Sequence, residues 1–242
     1  MFSFIWHTFF FDPIYNTLIF FVDTIRNGDV GLAIIATVIV VKMVLLPLSI
    51  KAAKTQRVMR EIEPKLKGIK ETHKDNREEQ ARAMMTIYKE VNINPFASIF
   101  LVFLQIPIVI ALYLAVYKGG GVALPEINTA LLYAFIPEPG VVTMDFLNLI
   151  DITKRSLLLA IGAGITQFIY TKMTLPALAP KAPDAAPDFK DDFMRNMHLQ
   201  MKYVMPILIA GVAYSISATI ALYFLVSNLV MIAQEFYIKR HR

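Results

Sequence analysis

One lysine, Lys42, interrupts an otherwise apolar run from Gly31 to Ile50. A cation near the centre of a spanning helix costs about 2.5–3.5 kcal/mol on the insertion scale, so it is expected to face a wet cavity or a partner. Its stem reaches the membrane edge only in part, because Ile50 lies about 12 Å further along the helix. Glu235, near the end of the last apolar segment, is the sole acidic residue inside another expected span. That favours an open hydrated site over a fixed ion pair. Gln105 and Gln167 are the other strongly polar groups expected at mid-span. Each amide can donate and accept hydrogen bonds in a water-containing cavity, or bond a neighbouring helix. The sequence assembles no chemistry of the enzymatic kind. His7, His73, His198 and His241 fall in unrelated segments, there is no cysteine, and Gly119 to Gly121 lacks the Lys-Ser/Thr of a phosphate loop. We therefore expect no metal, no cofactor and no catalytic residue.

These residues need a membrane to sit in. The chain of 242 residues is 56% hydrophobic with a mean hydropathy of +0.54, too apolar for a soluble domain with a charged coat. An all-α integral membrane protein with five transmembrane helices follows from the pattern. Residues 1–30 are aromatic-rich but broken by His7, Asp12, Asn16, Asp23 and Arg26, and they read as an interfacial amphipathic helix. Asp12 and Pro13 are expected as its N-cap and first helical residue. The expected spans are 31–50, closed by Pro47 and Ser49, then 95–117, 155–173, 201–215 and 216–238, the last two joined by a short turn at 215–219. Residues 51–94 have a different texture, with basic and acidic residues around two narrow apolar stripes. Val58, Ile62, Leu66 and Ile69 form one, and Ala81, Met84, Tyr88 and Val91 the other. This predicts a helical hairpin in water, turning at His73 to Asn76, with Pro64 kinking or restarting its first arm. Residues 118–154 and 174–200 are loops, and the prolines from Pro176 to Pro187 mark a linker in the second.

Charge sets the expected orientation. The hairpin, the 174–200 loop and the basic tail 239–242 hold most of the Lys/Arg outside the spans, which places all three in the cytosol and the N-terminus outside. The N-terminal residues lack the features of a cleaved signal peptide and are expected to be retained. The formal charge of +5 is concentrated beside apolar segments, so anionic lipid headgroups or the ribosome surface are expected partners rather than a specific nucleic acid.

The order of these parts resembles the YidC-type membrane insertases and their mitochondrial and chloroplast relatives. The motifs that carry it are Asp29 to Ile35, Leu45 to Lys51, Met59 to Lys67, Ile87-Tyr88-Lys89, Asn94-Pro95, Gln105 to Ile108, Ala111-Leu112-Tyr113, Asp145-Phe146-Leu147, Met201 to Pro206, Ala221-Leu222-Tyr223 and Val226 to Leu229. The resemblance implies five core helices around a hydrophilic groove open to the cytosol and to lipid. It also implies insertion and folding of newly made membrane proteins without nucleotide hydrolysis. Carried over by position, Lys42 stands where the family usually has arginine, Gln167 where a groove glutamine is common, and Phe224 where tryptophan is usual. Lysine keeps the charge but loses the bidentate fork, and Phe224 loses an indole donor. Ser217 and Thr219 replace a usual Pro and Gly. The implied partners are nascent membrane proteins, with the ribosome and its RNA, a targeting factor and the secretion channel alongside. The rival class is a small-molecule or proton-coupled transporter titrating at Lys42. Against it stand the missing second mid-span acid, the absence of a visible inverted repeat, and too few spans.

Overall fold

The computed structural model describes residues 2–94, 97–118, 120–175 and 195–240. The proline-rich linker, Pro95, Gly119 and the last two residues of the basic tail lie outside them. The helices are α1 (Phe2–Trp6), α2 (Asp12–Thr24), α3 (Val30–Glu61), α4 (Glu63–Thr72), α5 (Arg77–Glu90), α6 (Ala97–Tyr117), α7 (Leu157–Thr174), α8 (Met205–Ile216) and α9 (Ala218–Arg240). A two-stranded antiparallel ladder, β1 (Asp145–Phe146) and β2 (Ile150–Asp151), pairs Asp145 with Asp151 and Phe146 with Ile150. Among the described residues, Val30–Glu61, Leu157–Thr174, Arg195–Ile216 and Ala218–Arg240 are long and apolar enough to cross a membrane, and α6 carries a shorter apolar stretch, Phe103–Tyr117. The chain is an all-α membrane protein.

Two compact units divide the chain inside α3 and inside α6. One holds Met1–Met43 with Ile108–Arg242, the other Val44–Pro107. In the second unit, Pro64 lies in the first turn of α4, where its missing N–H is no loss. Ile62 and Leu66 are buried, while Ala81, expected on the opposite stripe, is exposed. Asn76 caps α5, its side-chain oxygen accepting from the backbone N–H groups of Glu78 and Glu79.

In the first unit, one end of the bundle is tied together by polar contacts. Asp29 begins α3 and accepts from the Leu32 N–H at 3.0 Å and the Leu147 N–H at 2.8 Å. Ser156 caps α7. Two of the unpaired N–H groups at the start of α9 find loop carbonyls, Ala218 donating to Lys154 and Thr219 to Ile152. The Tyr117 hydroxyl, at the end of α6, donates to the Thr153 carbonyl. Thus α3, α7 and α9 start on the side where α6 and α8 end. Residues 140–143 lie along the α2–α3 connection, with Val30 N–H donating to Thr143 C=O at 3.0 Å and Thr143 N–H to Gly28 C=O at 2.8 Å. Two glycines permit this approach: a Cβ on Gly28, at φ +59°, would fall 1.9 Å from the Val141 carbonyl oxygen, and one on Gly31 would fall 2.5 Å from the Phe146 ring. Asn16 is fully buried, donating to Leu131 C=O and accepting from Tyr133 N–H.

Several expected boundaries are corrected. The helix that begins at Val30 passes through Pro47 to Glu61, so Pro47 and Ser49 do not close it. A proline removes one backbone bond, and membrane helices accommodate that loss. Asp12 is not an N-cap, because the chain is already helical upstream and Phe11 precedes it in αR conformation. Instead, a π-turn over His7–Phe11 brings the His7 Nδ1 and Asp12 Oδ1 to 2.8 Å. The turn expected over 215–219 shrinks to one extended residue, Ser217, with α9 starting at Ala218. Its shortness follows from the loop carbonyls, which satisfy α9's first N–H groups in place of a longer turn.

Candidate functional site

Lys42 extends a stripe on α3. Val30, Ile34 and Val38 recur every four residues and are all buried, and Lys42 continues them half-buried, followed by the exposed Met43 and Val44. The lysine stands about 18 Å of helical rise beyond Val30, within the stretch of this helix that is long and apolar enough to cross a membrane. Thr37, the other polar residue of this buried segment, returns its hydroxyl to the Ala33 carbonyl at 2.8 Å.

Gln167 and Phe224 lie on α7 and α9, which run parallel and in direct contact. Leu225 occupies the space left by Gly162, where a Cβ would fall 2.6 Å from its Cδ1. Asn228 Nδ2 lies 3.3 Å from the Ala163 carbonyl and 3.4 Å from the Thr166 hydroxyl. At the far end, Lys239 Nζ donates to the Met173 carbonyl at 3.1 Å, a cation at a helix C-terminus. Its separation from Glu235 is longer, 3.7 Å. This register sets Phe224 roughly two turns along the bundle from Gln167. The Gln167 side chain donates to Thr171 in its own helix at 3.3 Å, and the half-buried Phe224 ring meets Tyr223 edge-on at 5.5 Å. On the other side of α7, Gly164 admits α8, with Ala210 Cβ 3.0 Å from where a Cβ would stand. Small residues are the usual means of close helix approach in lipid. Gln105 belongs to the second compact unit, two residues before Pro107, and is half-buried.

Asn228 is an amide that joins two helices in the first unit, and it entered the sequence reading only within the family motif Val226 to Leu229. The criterion that singled out Gln105 and Gln167, an amide in an apolar run, applied to it equally. Around it the interior of α9 is polar: the Tyr223 and Ser227 hydroxyls, one turn apart, are buried and face each other without completing a bond of normal geometry. Among the described residues no three His, Cys, Asp or Glu side chains gather in a way that could hold a metal.

Outside the spans, the best-defined charge site is Asp151. It accepts from the Thr153 hydroxyl at 2.6 Å, the Thr153 N–H at 2.9 Å and Lys154 Nζ at 2.9 Å. The Thr153 hydroxyl, with help from Lys154, holds its carboxyl below the usual carboxylate range despite partial burial. A depressed carboxylate stabilises the fold above its ordinary titration range, and that contribution is lost as pH falls through the lowered value. The protection of the Thr153 amide, its exchange rate relative to the intrinsic rate at each pH, is therefore expected to stay constant from neutral pH through the ordinary carboxylate range and to fall only below it. In an Asp151→Asn protein this acid-dependent step disappears.

Residues 21–242 match the family described as the 60Kd inner membrane protein. Membrane protein insertase YidC 1 of Halalkalibacterium halodurans is 30% identical over 97% of this chain and 79% of its own length. Membrane protein insertase YidC of Oceanobacillus iheyensis is 30% identical over 98% of this chain and 84% of its own. The YidC of Syntrophobacter fumaroxidans is 30% identical as well, and there the match covers 98% of this chain but 39% of the relative. Nothing in these likenesses points to a transporter. A set of apolar helices, matched along nearly the whole chain, places this bacterial multi-pass membrane protein in the 60Kd inner membrane protein family, to which the YidC insertases belong.

Proposed function

We propose that this protein inserts hydrophobic segments of newly made membrane proteins into the lipid bilayer and helps them fold, without nucleotide hydrolysis. The observation that carries the reading is Lys42. It is a half-buried cation within an apolar run, on a helix whose preceding stripe is buried, in a chain whose relatives are named membrane protein insertases. Five spans, the fifth supplied by α6, surround a hydrated groove to which Lys42, Gln167 and Phe224 of the first unit contribute. Attraction to Lys42 draws in a short acidic or polar tail, and the groove's water and amides replace part of the hydration that the tail gives up. Partition of the following apolar segment into lipid then drives the transfer onward. With the N-terminus outside and the hairpin cytosolic, the membrane potential adds about 2.3 kcal/mol per acidic charge per 100 mV.

The α4–α5 hairpin captures the substrate, and the basic tail meets the ribosome. A targeting factor, the secretion channel and anionic lipids complete the set of partners. The protein is not an enzyme in this reading, because the work is done by partition and charge. A photoreactive amino acid at position 42 tests it: crosslinks to stalled nascent membrane proteins are expected, and none to stalled soluble chains. If position 42 crosslinks neither, the groove reading fails.

A further inference from the structure

The β1–β2 hairpin ends in a two-residue turn, Leu147-Asn148, with φ of +53° and +57°. Its closing bond runs from Leu149 N–H to Phe146 C=O at 3.0 Å. Turns of this mirror-image type ordinarily take Asn-Gly or Asp-Gly, and a leucine at the first position is disfavoured. The leucine is nevertheless held there, its N–H bonded to Asp29, and it gains no burial from it: Leu147 is 51% exposed and Leu149 83%. Two large apolar side chains are thus presented outward on a fixed turn.

Three observations say what covers them. The hairpin does not stand off in water, because its base is bonded to the first residues of α9 through the Ile152 and Lys154 carbonyls, and its tip to the start of α3 through Asp29. It therefore lies level with the helix starts. Five residues beyond β2 the chain enters α7, whose opening residues Leu157 and Leu158 are 62% and 72% exposed on a helix of membrane-spanning length. Between the two apolar pairs stand Lys154, paired with Asp151, and Arg155, both exposed, cations of the kind that meet lipid phosphates at a membrane edge. The order apolar tip, basic pair, apolar helix start matches a headgroup layer folded over by the chain. We infer that the β1–β2 hairpin is a lipid-anchoring element, whose Leu147 and Leu149 enter the headgroup–acyl boundary of the leaflet in which α7 begins. The contact fixes the height of the helix starts in the bilayer, and it is independent of any insertase activity.

Because the chain has no cysteine, a Leu149→Cys protein takes a single spin label in liposomes of phosphatidylglycerol and phosphatidylcholine. Collision with oxygen is expected to exceed collision with a water-soluble nickel chelate, as for a Leu158→Cys label and opposite to a Glu138→Cys label in the same loop region. Nickel-dominated relaxation at 149 overturns the proposal, and so does shielding from both reagents, which marks a protein partner or a second copy. A second measurement does not depend on the label. With Trp6, the chain's one tryptophan, changed to Phe, a Leu149→Trp protein should be quenched at least twofold more by lipids brominated near the headgroup than by aqueous iodide at equal unquenched emission. Equal or greater quenching by iodide overturns it.

Discussion

A Lys42→Glu protein in proteoliposomes is expected to lose nearly all insertion of a single-span substrate with an acidic tail, and Lys42→Gln to lose at least about tenfold. Tenfold corresponds to about 1.4 kcal/mol, a part of what two opposite charges in contact amount to at the effective dielectric near a protein surface. Reversal repels the tail as well as removing the attraction, so its effect exceeds that of neutralisation. Lys42→Arg should retain activity, because the tail needs a cation at that height more than it needs an ammonium. A substrate whose tail carries no acidic residue separates the two parts of the mechanism: the Lys42 variants should insert it nearly as well as the parent. Equal activity of Lys42→Gln and parent on the acidic tail would remove electrostatics from the mechanism.

Gly28→Val is expected to release residues 140–143 from the α2–α3 connection. The position has φ +59° and a Cβ would lie 1.9 Å from the Val141 carbonyl oxygen, so backbone must move and no rotamer can relieve it. The left-handed conformation alone costs roughly 1–2 kcal/mol for a side chain with a Cβ, and more for a β-branched one. Loss of the two Thr143 backbone bonds adds to this. Protease added to the side bearing this loop should cut near Val141 in the variant and leave the parent whole. Gly140→Val, where a Cβ meets nothing within 4 Å, serves as the control. Equal resistance of the two valine proteins would show that the close approach does not matter.

The all-helical membrane class was legible because lipid and water each impose a simple composition on a helix, and Lys42 stood out against its run for the same reason. Boundaries were less legible where a partner from elsewhere in the chain decides them. Ser217 alone breaks the chain between α8 and α9 because Ile152 and Lys154 supply carbonyls to α9, and nothing near residue 217 announces this. Asn16 looked like a flaw in an apolar run, yet it is buried and carries two bonds to a loop more than a hundred residues away. Pro47 was read as a stop, although a single missing bond does not end a helix of 32 residues. At the candidate site, Asn228 was visible as a residue but not as a contact, because the register of α7 against α9 depends on Gly162 accepting Leu225.

The two π-turns, His7–Phe11 and Gln200–Val204, carry a lesson in reading frame. Each is one residue more than a regular turn holds, and the second lies just before Pro206, whose ring would press on the carbonyl four residues back. Deleting a single codon from either stretch would not shorten the protein in any way that matters. The turn would close as a regular α-turn, and the helical segments on either side of it would keep their faces. Such places tolerate the loss of one residue that a regular α-helix, where each residue is about 100° of rotation, does not.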